Sequence, residues 1–175
     1  MQLATTYQNA DDKEGCRKVF LKALKKPIYK KSKKVWSSYL AFLLKIKEQD
    51  EAKKELNRAM QSLSRHKHVY VIARFAFAEY ECGEVDRGRV LFEELISNYP
   101  KRSDLWHLYV DKEIKHGYYQ NARQLFDRMI TLQQSARNAK ANFKKYLEFE
   151  RKYGTEEYEK SVKQKARDYV NSLMS

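Results

Sequence analysis

Glycine and proline are scarce in this sequence, with five and two among 175 residues, and nearly all lie near expected helix ends; Gly88 is the exception. Strand signals are missing as well. No stretch sustains a period-two alternation and no Asn-Gly or Asp-Gly hairpin turn occurs, which excludes a sheet-rich fold. The two cysteines, Cys16 and Cys82, stand far apart. They offer no disulfide framework and point to a reducing compartment. No signal peptide is visible, and the longest apolar run, residues 39–44, stops at Lys45. A membrane span needs ~20 such residues, so no membrane contact is expected. No G-x-x-x-x-G-K-[ST] phosphate loop is present. The four histidines, His66, His68, His107 and His116, lack Cys or His partners at metal-ligand spacing. No nucleophile–base arrangement emerges from spacing. The expectation is a chain without enzymatic activity, cofactor, metal or small-molecule substrate. Negative charge is in deficit: 36 Lys and Arg face 23 Asp and Glu, for a net +13 and a pI near 9.6. That balance suggests an anionic partner.

What the chain does contain is amphipathic helix. Residues 99–130, YPKRSDLWHLYVDKEIKHGYYQNARQLFDRMI, read as two helices joined by a short turn. Trp106, Tyr109 and Glu113 share one face of the first helix, and Ala122, Leu125, Phe126, Met129 and Ile130 form an apolar stripe on the second. Pro100 cannot continue a preceding helix, Ser103 or Asp104 can cap the new one, and Gly117 can close it in the left-handed conformation. Neither helix can bury its face alone, and the folded pair still leaves one side uncovered. Such a unit calls for neighbours.

The neighbours are present. Cys16/Phe20/Ala23/Leu24, Ala52/Leu56/Ala59/Met60, Gly88/Phe92/Leu95/Ile96, Ala122/Phe126/Met129/Ile130 and Val162/Ala166/Tyr169/Val170 repeat one spacing at offsets of 36, 36, 34 and 40. First helices follow with Trp36/Tyr39, Ile72/Phe75, Trp106/Tyr109 and Phe143/Tyr146. The expected core therefore includes Trp36, Tyr39, Phe75, Phe92, Trp106, Tyr109, Phe126, Phe143 and Tyr146. Nearly one period, held this many times, predicts a stacked all-α array. We read residues 1–175 as a single repeat domain: a partial repeat at 1–27, then repeats at about 32–64, 67–100, 102–132 and 137–173. Residues 2–9 read as the end of a first helix, with Asp11 and Glu14 as a capping box for the next. The missing N-terminal cap predicts a C-terminal piece of a longer array.

Charge sorts by connector. Turns within pairs carry Glu48, Asp50, Glu51, Glu84, Asp86, Glu156 and Glu157. Connectors between pairs carry Lys25, Lys26, Lys30, Lys31, Lys33, Lys34, Arg65, Lys67, Lys101 and Arg102, with Arg137 and Lys140 further on. The turn HGYYQN is not acidic. An array with one basic and one more acidic edge is predicted, with the ten cations from Lys25 to Arg102 as the candidate edge for RNA or another anionic partner. Glu79, Glu113 and Glu150 recur at one first-helix position and are read as structural, paired with an Arg or a helix N-terminus. Arg89, Arg123 and Lys53 recur at one second-helix position, either solvated or lining a face that holds acidic partner segments.

Trp106, Tyr109, Glu113, Gly117, Ala122, Arg123 and Phe126, with Phe143, Tyr146, Glu150 and Gly154, and Gly88, Arg89, Phe92 and Pro100, resemble the HAT (half-a-TPR) repeat. The likeness is densest from Ala73 onward, where YPKRSDLWHLYVDKEIKHG and FKKYLEFERKYGTEE are similar to the HAT region of large ribosome-biogenesis factors that carry a row of OB-fold RNA-binding modules upstream. Departures are Ile72 where Trp is usual, Ala52-Lys53 and Leu56 in place of Ala-Arg and Phe, and a longer last repeat. The resemblance implies a right-handed superhelical solenoid of about ten helices in antiparallel pairs, HAT/TPR-like. It also implies a nucleolar role in pre-rRNA processing and small-subunit maturation.

Two functions of different class follow. One is a scaffold whose extended surface docks pre-ribosomal assembly proteins. The other is direct contact between pre-rRNA phosphates and the basic connectors, with bases stacking on tyrosines such as Tyr29, Tyr118 or Tyr119.

Overall fold

The structure is a computed structural model that describes residues 12–132 and 135–174. Among them every element is helical: ten α-helices and one 3-10 turn, with no strand. The chain divides into two compact units, Met1–Asn98 and Tyr99–Ser175. The helix end expected over residues 2–9, and Asp11, lie outside the described residues.

The first unit contains α1 (Lys13–Lys25), α2 (Pro27–Lys30), α3 (Lys33–Lys45), α4 (Gln49–Ser62), a 3-10 turn at Arg65–Lys67, α5 (His68–Cys82) and α6 (Val85–Asn98). Helices α3 and α4 pair, α5 and α6 pair, and the two first helices α3 and α5 lie directly against each other. Flanked also by α1, α3 is buried on almost every side. This is why its 39–44 run is apolar all round rather than striped. Phe20 of α1 reaches across to Tyr39 and Phe42, with ring centroids 5.3 and 5.7 Å apart. Burial, with Glu55 nearby, pushes the Tyr39 phenol up to about 12. Gly88 sits where α5 and α6 approach most closely: a Cβ there would stand 2.5 Å from the Tyr80 ring.

Helix ends in this unit depart from expectation in two places. Asp12 caps α1, its carboxylate accepting the Gly15 N–H at 2.7 Å. The stretch read as a plain basic connector contains the single turn α2, opened by Pro27, whose missing N–H costs nothing at a first helical position.

The second unit contains α7 (Ser103–Lys115), α8 (Tyr119–Thr131), α9 (Ala136–Tyr153) and α10 (Glu156–Met174). Consecutive helices pack on one another. Between α7 and α9, His107 and Asn142 hydrogen-bond at 2.7 Å, and Lys145 reaches Asp111 at 2.7 Å. The centre is aromatic: Phe126 and Tyr146 stack 4.7 Å apart at 6°, and Phe149 lies 5.3 Å from Phe126. Burial and the Asp127 carboxylate, which accepts from the Tyr146 hydroxyl at 3.0 Å, push that phenol well above its ordinary range. Ser103 and Asp104 do not cap α7. Its N-cap is Arg102, with no side-chain cap bond, because the Asp104 carboxylate is committed to the Arg102 guanidinium at 2.7 and 2.8 Å. Phe143 is only half-buried, against Tyr169, and Val170 of the expected last stripe is exposed. Both belong to the pair α9 and α10, where among the described residues of α10 only Val162 is buried.

Gly117 adopts φ +79° after α7, as its position predicts. Its counterpart after α3 is Lys47, at φ +67°. The bonds match: Glu48 N–H to the Leu43 carbonyl in one, Tyr118 N–H to the Glu113 carbonyl in the other, each 2.9 Å. A left-handed lysine is strained where glycine is not. Lys47→Gly should therefore raise stability by ~0.5–1 kcal/mol in urea denaturation. An unchanged or lower midpoint would put the Lys47 Nζ bond to the Cys82 carbonyl, 2.7 Å, ahead of the strain.

Candidate functional site

Between Glu14 and Glu48 the chain has no carboxylate, and lysines crowd its middle. Local structure holds this basic stretch in place. The Trp36 indole N–H donates to the Lys30 carbonyl at 2.8 Å, tying α2 to the buried start of α3. Lys67, from the following connector, donates its ammonium to the Lys31 carbonyl at 2.8 Å, and Lys33 lies over the Tyr70 ring, 4.3 Å from its centroid. The connectors 25–34 and 65–67 are thus neighbours in the first unit.

The first of these connectors and the end of α4 frame an open cleft of about 610 Å³, lined by Lys25, Pro27, Lys30, Lys31, Arg58, Gln61 and Ser62. Lys25, Lys26, Lys30, Lys31, Lys34 and Arg65 are exposed and make no ion pair among the described residues. Arg58 completes the cleft. Connector charge does not reveal it, because it sits inside a helix. Its guanidinium lies 3.3 Å from the buried Glu55 carboxylate and 6.0 Å from the Trp36 ring centroid. One signal could have found it: Arg128 stands the same distance along the chain from Trp106, and lies 5.3 Å from that ring.

The candidates in the second unit differ. Lys101 is exposed and borders a cleft of about 330 Å³ with Pro100, Ser103, Trp106, Met129, Leu132, Ser135, Asn138 and Asn142. Arg102 is neutralised by Asp104, whose carboxyl it holds below the usual carboxylate range.

A second open surface lies between the first helices α3 and α5. This groove of about 470 Å³ has Lys34, Lys45, Arg74 and Tyr70 at its lips and Ser37, Ser38, Ala41, Phe42 and Cys82 along it.

The recurrent carboxylates are buried inside the hairpins. Glu79 accepts the Glu84 N–H at the start of the next segment, 2.9 Å. Asn121 donates to Glu113 at 3.2 Å. Arg123 grips both oxygens of Glu150 at 2.7 and 3.0 Å. The folded-back carboxylates of Glu79 and Glu150 fill the space a Cβ would need at Gly83 and Gly154. Those two turns need glycine for room, since neither has a positive φ. Arg123 is spent on Glu150 within the unit. Lys53 and Arg89 reach Asp50 and Asp86 on their own helices at 3.8 and 2.8 Å.

His68 bonds the Leu63 carbonyl at 2.9 Å and His107 bonds Asn142, both structural contacts. Among the described residues no three His, Cys, Asp or Glu side chains gather as a metal site, and no helix is long and apolar enough to cross a membrane.

No family profile matches the chain. A Pseudomonas aeruginosa pilF structure overlaps 98% of this chain and 75% of its own, at TM-score 0.49 and 20% identity. The sequence relatives are nearer. The mouse protein RRP5 homolog is 35% identical over 175 residues, 100% of this chain and 9% of its own length. The Arabidopsis thaliana rRNA biogenesis protein RRP5 is 38% identical over the same span, again 9% of its length. Its Schizosaccharomyces pombe counterpart is 40% identical over 147 residues, 84% of this chain. The chain is therefore homologous along its whole length to one segment of the RRP5 proteins, and spans 9% of the length of those relatives.

Proposed function

We propose that the chain is a non-enzymatic scaffold of ribosome biogenesis, which docks pre-ribosomal assembly proteins in the nucleolus while pre-rRNA is processed and the small subunit matures. The relatives named for rRNA biogenesis supply the process. The observation that carries the docking role is the α3–α5 groove, an open channel with cationic lips over Ala41 and Phe42. Two rigid helices present it, so a partner segment needs to order only itself. The test is retention of assembly factors from nuclear extract by the immobilised chain, identified by mass spectrometry. The triple charge reversal Lys34→Glu, Lys45→Glu, Arg74→Glu should abolish retention without shifting thermal melting. Equal recovery by the variant, or no assembly factor on the wild type, would remove the reading.

Contact with pre-rRNA through the basic connectors is the second reading. Lys25, Lys26, Lys30, Lys31 and Lys34, around α2 and free of ion pairs among the described residues, support it.

A further inference from the structure

The two units carry the same local device at the same place. In each, a tryptophan indole N–H donates to a connector carbonyl six residues upstream: Trp36 to Lys30 at 2.8 Å, Trp106 to Pro100 at 3.0 Å. In each, an arginine of the second helix lies over that tryptophan, Arg58 or Arg128. In each, a connector lysine follows, Lys31 or Lys101. What recurs is needed to join a connector to the helix pair. What does not recur is free of that duty. Proline stands at 100 where the first unit has Lys30, and the second unit's cleft is lined by serines, asparagines and apolar side chains, with Lys101 its one lysine. The first unit's cleft instead gathers Lys25, Lys30, Lys31 and Arg58 with no lining carboxylate. Folding gains nothing from three unpaired lysines placed together; their mutual repulsion opposes it.

From this we infer that the α2–α4 cleft seats phosphates of single-stranded RNA, with Tyr29 stacking an adjacent base; the inference rests on the RNA-contact reading. Tyr29 and Ile28 of α2 are 43% and 75% exposed; neither lines the cleft, and in sequence they stand between Lys25 and Lys26 before them and Lys30 and Lys31 after them. An aromatic ring left in solvent next to a lysine-lined cleft is the pairing that unstacked nucleotides use: point charges for phosphates, a π-face for a base. Lysine suits that role, whereas planar carboxylates of an acidic peptide are matched best by forked arginines, of which the cleft has one, already shared with Glu55. The carbonyls at the end of α4, near Gln61 and Ser62, oppose an anion by about half a charge, against three unpaired lysines and the arginine shared with Glu55.

The test is fluorescence anisotropy of a labelled oligouridine of about twelve nucleotides with the full chain. Four neutralised phosphates predict a slope of log K against log salt of roughly −3. Lys30→Glu with Lys31→Glu should weaken binding about tenfold or more and roughly halve the slope. Tyr29→Ala should cost about fivefold or more without changing the slope. Lys160→Gln, on α10 and outside the connector cations, should stay within about twofold. Thermal melting should be unchanged in all, since these side chains hold nothing in place. If wild-type chain binds but the double variant binds equally well, the cleft is overturned and RNA contact stands elsewhere. If wild-type chain does not bind oligouridine, both fail. Displacement of the RNA by oligo-glutamate at equal charge concentration would assign the cleft to acidic peptides and overturn the proposal.

Discussion

Phe126→Ala is expected to cost about 3–5 kcal/mol of stability, the range for emptying an aromatic site that cannot collapse. Phe126 is wholly buried, with the Tyr146 ring parallel to it at 4.7 Å and Phe149 at 5.3 Å. Truncation loses transfer free energy, opens a cavity, and forfeits stacking worth ~0.5–1.5 kcal/mol. Repacking is blocked because the neighbouring rings are themselves fixed: Tyr146 is held through Asp127, and Phe149 packs on Tyr153 at 5.7 Å. Urea denaturation should show the loss, and thermal melting should fall by roughly ten degrees. Phe143→Ala is the internal comparison. The repeat spacing ranks both phenylalanines as core, but Phe143 is half-buried between α9 and α10 and should cost only ~1–2 kcal/mol. Equal losses for the two would show that α9 and α10 are packed differently.

That contrast marks the limit of what periodicity conveys. Apolar burial follows the 3.6-residue turn, so Trp36, Tyr39, Trp106, Tyr109 and Phe126 could be placed on inward faces from spacing alone. Spacing carries no information on which helix faces have a neighbour packed on them, and so overstated Phe143 and Val170. Turn chemistry was legible at Gly117, where the residue type declares the backbone. It was hidden at Lys47, because nothing in a lysine announces a positive φ. The α2 turn was hidden by its lysines, which read as a solvated connector although Pro27 was in place to open a helix.

The candidate site was legible in its lysines and not in its geometry. Charge counting named the connector cations. It could not say that Lys67 would bond back onto Lys31, that Arg102 would be consumed by Asp104, or that Arg58 would join from inside α4. Each of these depends on a contact between segments or on competition between neighbours. The comparison of the two units recovers some of that information from the chain itself. A feature found in both, such as the tryptophan bond to its connector, belongs to the architecture. A feature found in one, such as the lysine cluster around α2, needs another reason.

Arg123→Ala should destabilise the chain by about 3–5 kcal/mol, because it strands a carboxylate in the interior. Glu150 is 1% exposed and both its oxygens are bound by the Arg123 guanidinium, itself held above its ordinary pKa by that bond. Arg123 also lies over the Tyr158 ring, 4.0 Å from its centroid, so its removal loses packing between α8 and the start of α10 as well. Arg123→Lys should recover only part of the loss, since a single ammonium cannot span both oxygens. The decisive variant replaces the pair: with Arg123→Leu and Glu150→Leu together, the desolvation cost of both charges disappears and stability should return to within ~1 kcal/mol of wild type, or exceed it. Chemical denaturation of the single and double variants separates the cases. If the double variant is as unstable as Arg123→Ala, the carboxylate is needed for the turn itself, where it covers the Gly154 backbone, and not merely tolerated there. If Arg123→Ala costs less than ~1 kcal/mol, Glu150 has reached water and the helix pair is looser than its hydrogen bonds describe.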